Sequence, residues 1–316
     1  MQNPITIDLE DYFQVTAFSI DGRPRDSDAH VSRVERNTQK TLAILAETRT
    51  RATFFTLGSV AEKFPRLIRQ LSEEGHEIAC HSFGHHQVFT LTPQQFREDT
   101  LRAKKMLEDA SGTPVVGYRA PSFSIRQDST WAFEVLAELG FTYDSSIFPV
   151  RHLNYGVPNA PVDPFVVKTP SGSILEFPMP SLRFAGARAP FAGGAYFRFL
   201  PYWYTRWGIR HLNCSANRPV CVYLHPWELD PDQPKMNGNL TARMRHYFGL
   251  RGTEVKLRRL LQDFSFQPLG LLIQELNQNS AGAWREPLVE IPMSDLRTYL
   301  DGGHLSRAGD GRGERN

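Results

Sequence analysis

Four short stretches of this chain carry side chains that could do hydrolytic chemistry together. "DLED" sets Asp8, Glu10 and Asp11 within four residues, at the end of a β-rich alternating run that opens at residue 4. "CHSFGHH" at 80–86 holds His81, His85 and His86, three of the chain's ten histidines. "GYRAP" puts Arg119 after a strand beginning near 114, and "VYLHPWE" puts His225 after one beginning near 219. Each is weak alone. Their shared position, the C-terminal end of a strand, is where α/β folds assemble active sites.

The chemistry that fits is metal-assisted hydrolysis. His81 and His85 stand i, i+4, so a helical turn would bring both imidazoles to one side. Zinc and similar ions accept two neutral imidazoles and a carboxylate, leaving one position for water. His86 is out of phase with the pair and reads as a supporting or surface residue. Cys80 would point the opposite way along the strand, as a buried core thiol. Strand alternation puts Asp8 and Glu10 on one face, while Asp11 begins the loop. A metal ligand and a general base are both needed, and adjacent carboxylates can serve if their environments separate their pKa values. Arg119 can hold a carboxylate bidentately and keep it ionised. His225, with an intrinsic pKa of ~6.5, suits giving a proton to a departing amine. Ordinary readings stand beside these: a solvated helix face, a surface arginine, a structural histidine.

The elements that must position these residues are legible as strand–helix repeats. "PITIDL" (4–9), "RATFFTLG" (51–58), 76–80, "PVVGYRA" (114–120), "FTYDSSI" (141–147), "SILEFPM" (173–179) and "PVCVYLHPWE" (219–228) read as strands. Between them 31–47, the run after Pro65, 129–140 and 201–212 have helical spacing. "TPQQFREDTLRAKKMLEDASG" is the clearest helix, with Thr92 and Gln95 forming a capping box, Phe96, Ala103 and Leu107 as its buried stripe, and Gly112 as its stop. The repeat predicts an α/β fold with a parallel sheet or (β/α) barrel. Region 150–200, rich in Pro, Gly and aromatics, reads as long loops over one face. Residues 302–316 read as a disordered tail.

The bulk numbers exclude more than they assign. A chain of 316 residues with a net charge of +2 and no basic stripe gives no reason to expect nucleic acid. Three cysteines without a CxxC pair argue against a disulfide scaffold and a thiolate zinc site. No apolar run approaches the ~20 residues of a transmembrane helix, and the first residues lack a signal-peptide pattern. A cytoplasmic protein is the default expectation, and a homo-oligomer is left open.

Taken as an ordered set, the stretches resemble the NodB homology domain of the polysaccharide deacetylases, carbohydrate esterase family 4. "HSFGH" matches that family's metal motif, "GYRAPSFSI" its arginine motif, "YDSSIFP" a substrate-side motif and "VYLHP" its terminal Leu-x-His element. The likeness runs over about 4–230. It is closer to the peptidoglycan-deacetylase/allantoinase-like branch, and "DLEDYFQVTAF" and "RHYFGLRGTEVKLRRLLQDFSFQPL" are similar to deacetylases of exosortase-associated exopolysaccharide loci. The resemblance implies a distorted seven-stranded (β/α) barrel over 1–230. It adds a C-terminal helical extension over 231–282, read as a packing element, and a further segment with the tail over 283–316. It implies a divalent metal, zinc above others, and removal of N-acetyl groups from amino sugars of an exopolysaccharide, peptidoglycan or lipid-linked precursor. Asp8 would be the base, His81 and His85 metal ligands, Arg119 the residue that orients Asp8, and His225 the acid supported by Asp144. The family's second aspartate is replaced here by Leu-Glu-Asp, so Glu10 by strand phase or Asp11 by residue type would be the third ligand, Glu10 being preferred. Tyr196, in the aromatic "GGAYFRF", with Pro121 and Trp227, would contact the carbohydrate. The competing expectations are a cyclic-amide hydrolase, a non-catalytic carbohydrate-binding protein, and a scaffold for exopolysaccharide synthesis.

Overall fold

Alternation along the strands decides how this chain layers itself. The computed structural model describes residues 1–18, 30–152, 155–184, 186–278 and 288–302. Its strands are β1 (Gln2–Leu9), β2 (Thr53–Thr56), β3 (Glu77–Cys80), β4 (Gly117–Tyr118), β5 (Tyr143–Asp144), β6 (Phe165–Thr169), β7 (Gly172–Glu176), β8 (Ser181–Phe184), β9 (Ala187–Pro190), β10 (Val222–Leu224), β11 (Ser265–Gln267) and β12 (Val289–Pro292). On β2, Phe54 enters the outer core and Phe55 the inner one. On β3, Ile78 and Cys80 face outward and Ala79 inward; on β10, Val222 and Leu224 face outward and Tyr223 inward. Strands buried on both faces read as near-continuous apolar runs, and this is why a parallel sheet was legible.

The sheet runs β10-β1-β2-β3-β4-β5-β7-β6-β12, with β11 pairing the start of β1. All neighbours are parallel except the β6–β7 hairpin. Among the described residues its two edges do not pair. The fold is therefore barrel-like but open, in keeping with the distorted (β/α) barrel expected. The antiparallel hairpin and the added β12 extend the edge that closure would have joined to β10. Helices α1 (Val34–Glu47), α2 (Gly58–Lys63), α3 (Pro65–Glu73), α4 (Pro93–Ser111) and α5 (Ala132–Glu138) follow the first four strands, with α2 and α3 sharing one crossover. Ile44, Leu45, Ile68, Leu71, Phe96, Leu107 and Phe133 from them fill the outer core. The capping box on α4 is formed: Gln95 N–H donates to Thr92 Oγ1 at 3.2 Å and Thr92 N–H to Gln95 Oε1 at 2.9 Å. Gly58 is required by packing, since a Cβ there would lie 2.8 Å from Ala103 Cα on α4.

Region 150–200 departs from its reading as loops. It contains the β6–β7 and β8–β9 hairpins and α6 (Gly194–Phe199). Phe165, Val167, Ile174 and Leu175 are buried along the first hairpin, a pattern masked by the surrounding Pro and Gly. Then come α7 (Tyr202–Ser215), α8 (Leu240–Tyr247), α9 (Leu250–Asp263), α10 (Leu269–Asn277) and α11 (Leu296–Leu300). α10 plugs the inner core from below: Leu269, Leu272, Ile273 and Leu276 pack there, and its first N–H groups reach Thr53 and Glu77, the opening residues of β2 and β3. The segment 283–316 was expected to be extension and tail. Its described part, 288–302, supplies β12 and α11, and the tail from 303 onward lies outside the described residues. Among the described residues no helix is long and apolar enough to cross a membrane.

Candidate metal centre

At the C-terminal rim, β1 hands the chain directly to Glu10, whose N–H turns back onto the Asp8 carbonyl at 3.1 Å. This turn leaves both carboxylates buried at the mouth, Asp8 and Glu10 being 3% and 2% exposed. After β3, residues 81–87 form an irregular turn rather than the helical turn expected from i, i+4 spacing. Ser82 and His85 take positive φ, 67° and 61°, a conformation that costs a non-glycine residue and clusters at functional sites. The turn is held by its surroundings. Ser82 Oγ accepts the His85 N–H, Asp99 on α4 accepts the Phe83 N–H, and Gly58 donates to the Ser82 carbonyl.

Three ligand atoms converge there: one each from Glu10, His81 and His85, all within 4.8 Å of one another. His81 Nδ1 lies 2.8 Å from the Arg119 carbonyl. A carbonyl only accepts, so Nδ1 carries the proton and Nε2 is left as a bare donor atom for a cation. Burial lowers the His81 pKa to about 4, keeping the ring neutral as a ligand must be. Glu10 Oε2 stands 2.6 Å from His85 Nε2, and Trp227 Nε1 donates to Oε1 at 3.2 Å. Burial pushes Glu10 up, but His85, His225 and His81 more than reverse it and hold the carboxyl at about 2. Glu10 Oε2 is buried with no ordinary hydrogen-bond donor. A buried charged oxygen left this way beside two imidazoles fits a divalent cation with three protein ligands and an open position.

Asp8, Arg119 and His225 flank this cluster. Arg119, fully buried, donates from Nη1 to Asp8 Oδ1 at 2.7 Å and to Thr6 Oγ1 at 2.7 Å. Nε and Nη2 donate to the Ser145 carbonyl and hydroxyl at 3.1 Å each, and Nη2 also meets Met179 Sδ and Cys221 Sγ. Asp8 Oδ2 is left facing His225 Nε2 at 3.9 Å, and Glu10 Oε1 lies 3.6 Å from the same nitrogen. Burial lowers the His225 pKa, but Glu228 above all, with Glu10 and Asp8, raises it to about 9. Trp227 lies between two imidazoles, stacked on His225 and on His246 at centroid distances of 5.1 and 4.4 Å. A cleft of about 830 Å³ opens over these groups.

Several sequence expectations need correction. Asp11 is not with the ligands: its Oδ2 accepts from Ser32 Oγ and the N–H groups of Arg33 and Val34, and its Oδ1 from Tyr12 N–H. It anchors the N terminus of α1, where an anion offsets unpaired N–H groups. Asp144 does not support His225. It is buried against Ser146 and Glu176, and Glu228, whose Oε2 is 3.3 Å from His225 Nδ1, takes that place. Glu228 was missed although its spacing, three residues after His225 across a Pro-Trp turn, was in view. Tyr196 bonds to Tyr155 through their hydroxyls, and Pro121 is buried; neither lines the cleft, while Trp227 does. Ser122, Phe123, Tyr155, Arg198, Arg245 and His246 line it without having been foreseen.

The comparisons with known proteins divide the chain at β5. Residues 16–143 match the family described as polysaccharide deacetylase, and residues 145–274 match a domain of unknown function (DUF3473). The site needs both: His81, His85 and Arg119 fall in the first, His225 and Glu228 in the second, while Asp8 and Glu10 precede them. The chain is similar to a peptidoglycan-N-acetylglucosamine deacetylase of Bacillus cereus, 31% identical over 31% of this chain and 36% of that protein. It is also similar to a chitooligosaccharide deacetylase of Sinorhizobium fredii, 28% identical over 44% of this chain and 63% of the other. The chain thus spans about a third to two thirds of these curated relatives. Among solved structures it resembles the Puue allantoinase, with a TM-score of 0.59 and 14% identity, covering 89% of this chain and 91% of that one. It also resembles a Mycobacterium smegmatis structure described as a polysaccharide deacetylase, at 0.58 and 19%, covering 91% and 94%. At these identities the structural likenesses speak for the fold. Residues 16–143 thus match the polysaccharide deacetylase family, and the Glu10–His81–His85 cluster and the arginine-held Asp8 stand on the rim of a fold shared with these structures.

Proposed function

We propose that the protein is a metal-dependent hydrolase that removes N-acetyl groups from amino sugars and releases acetate. One observation carries this reading: three ligand atoms within 4.8 Å of one another sit beside a carboxylate held by a buried arginine and a histidine held by a buried glutamate. Glu10, His81 and His85 would hold the cation, zinc being the ion best suited to two imidazoles and one carboxylate. When bound, such an ion polarises an amide carbonyl and makes a water acidic near neutral pH.

The protein groups divide the remaining work. Arg119 occupies one oxygen of Asp8, leaving Oδ2 to take a proton from the attacking water. His225, held protonated by Glu228, gives a proton from Nε2 to the amine as the C–N bond breaks. Trp227 braces both Glu10 and the His225 ring. The peptidoglycan and chitooligosaccharide deacetylases among its relatives support N-acetylglucosamine residues as the substrate class.

The test is acetate release from N-acetylglucosamine oligomers by purified protein of measured metal content. D8N and H225A should each lower the rate by about 10²–10⁴-fold with the metal retained. Unchanged acetate release in both variants would defeat the assignment.

A further inference from the structure

Part of the cleft wall comes from α8, in the half of the chain that the deacetylase family does not cover. Two of its side chains, Arg245 and His246, line the cleft, and neither has a role in the chemistry above. Arg245 is half-buried. Its Nη1 lies 2.9 Å from His152 Nε2 and its Nη2 3.3 Å from the Tyr155 hydroxyl. The His152 ring, stacked on Tyr155 with centroids 3.8 Å apart, is lowered to about 4 by burial and by Arg245, so it is neutral and accepts. The guanidinium is thus held in place by neutral groups only.

The charge balance of the cleft isolates Arg245 further. Three carboxylates line it: Asp8, Glu10 and Glu228. Asp8 is matched by Arg119, Glu228 by Arg198 at 2.7 Å, and Glu10 faces His85 and the cation position. Among the described residues no carboxylate lies within 4.0 Å of Arg245. Its neighbour adds a second unused group. His246 Nε2 is 2.8 Å from Gln233 Oε1, and the Gln233 amide nitrogen donates to the Trp227 and Asp230 carbonyls, so Oε1 can only accept. The proton of His246 therefore sits on Nε2, and its Nδ1 is a buried acceptor with no partner. A fixed cation beside an open acceptor, lining the same cleft as the hydrolytic groups, is a recognition surface for a sugar bearing negative charge.

We propose that Arg245 is an anion-binding subsite, and that the amino sugar this protein acts on carries a carboxylate or a phosphate held by that guanidinium, with His246 Nδ1 accepting a hydroxyl. The identity of the ligand as an amino sugar rests on the deacetylase reading; the anion preference does not. This assigns part of the DUF3473 segment to substrate selection rather than to packing alone.

Calorimetry on metal-free protein tests it, so that no phosphate can bind through the cation. The probes are N-acetylglucosamine 1-phosphate against N-acetylglucosamine, and a disaccharide of glucuronic acid and N-acetylglucosamine against N,N′-diacetylchitobiose. At least one anionic probe should bind about 10-fold or more tighter than its neutral partner, a charge-assisted hydrogen bond's worth. R245Q should abolish that advantage, and R245K should keep part of it, since lysine retains the charge without the fork. An advantage confined to the phosphate or to the uronate names the source of the anion. Anionic probes that bind no better than neutral ones, or an advantage that survives R245Q, would overturn the inference. An Arg245 that only braces His152 and Tyr155 would lower the melting temperature in R245Q and leave the ratio of affinities unmoved. Acetate release from none of the four probes by metal-loaded protein would count against the deacetylase reading alone.

Discussion

Two buried glutamates sit at opposite ends of the same sheet and are held in opposite ways. Glu77 opens β3 at the bottom of the barrel. Its Oε1 accepts the Tyr143 hydroxyl at 2.7 Å, and its Oε2 accepts Thr53 Oγ1 at 2.5 Å and the Gly270 N–H at 2.8 Å. Its donors are neutral, every oxygen is filled, and burial raises its pKa. Glu10 follows β1 at the top, where its partners titrate, one oxygen lacks an ordinary donor, and the carboxyl is held at about 2. Burial is common to both and so identifies neither. What separates a structural carboxyl from a reactive one is whether neutral donors complete it or charged ones leave it open.

The largest effect should come from exchanging these two residues' fates. E10Q should lose its bound metal by elemental analysis, and acetate release should fall by about 10³-fold or more, since several kcal/mol of charge stabilisation leave with the cation. E77Q should keep full metal stoichiometry. The glutamine amide cannot accept where Oε2 now takes two donors, so unfolding should be easier by about 1–3 kcal/mol in denaturant titrations. If E77Q lost metal as completely as E10Q, the two ends would not be separable. Asp11 extends the contrast: D11N should retain metal and lose stability, because its carboxylate serves α1 rather than the ion.

A smaller effect concerns the pH profile. His225 acts as an acid only while protonated, so the alkaline limb of the rate should fall through about pH 9. E228D keeps a carboxylate for Arg198 but draws it back from His225. The limb should then begin at lower pH, because the largest upward contribution to that pKa is weakened. A limb unmoved in E228D would mean that His225 owes its proton to Asp8 and Glu10 instead.

The rim was legible in the sequence because a strand end announces itself. Asp8, Glu10, His81, His85, Arg119 and His225 each follow an apolar run, and parallel strands must deliver such residues to one edge. What was illegible depended on partners distant in sequence or on a backbone no pattern encodes. Asp11 looked like a ligand by residue type, and only the docking of α1, some twenty residues later, claims its oxygens. The i, i+4 spacing of the histidines pointed to the pair that clusters with Glu10, but by a helical turn that does not exist; left-handed residues at Ser82 and His85 bring them together instead. Arg245 and His246 were invisible because nothing local marks which face of α8 meets the cleft. Region 150–200 hid two hairpins behind Pro and Gly that are themselves part of the turns.

The smallest expected effect sharpens the comparison at a third buried carboxyl. Asp144 and Glu176 pair across β5 and β7, both fully buried, and among the described residues no other group gives Glu176 Oε2 a hydrogen bond. Burial, then the charge of Asp144, raises Glu176 well above its usual value, so Glu176 holds the proton between them. E176Q replaces that O–H donor with an amide N–H while its oxygen still accepts the Ile147 N–H now bonded at 2.9 Å, so stability near pH 5 should change by under about 1 kcal/mol. A group with a raised folded pKa stabilises fully below its unfolded value, near 4.5, and that contribution is lost as pH rises toward the folded pKa. Glutamine does not titrate, so denaturant titrations should show E176Q gaining on the wild type between pH 5 and 9. A gap between the two proteins that stays constant over that range would mean the pair shares no proton, and that completion by neutral donors is not what separates structural carboxyls from Glu10.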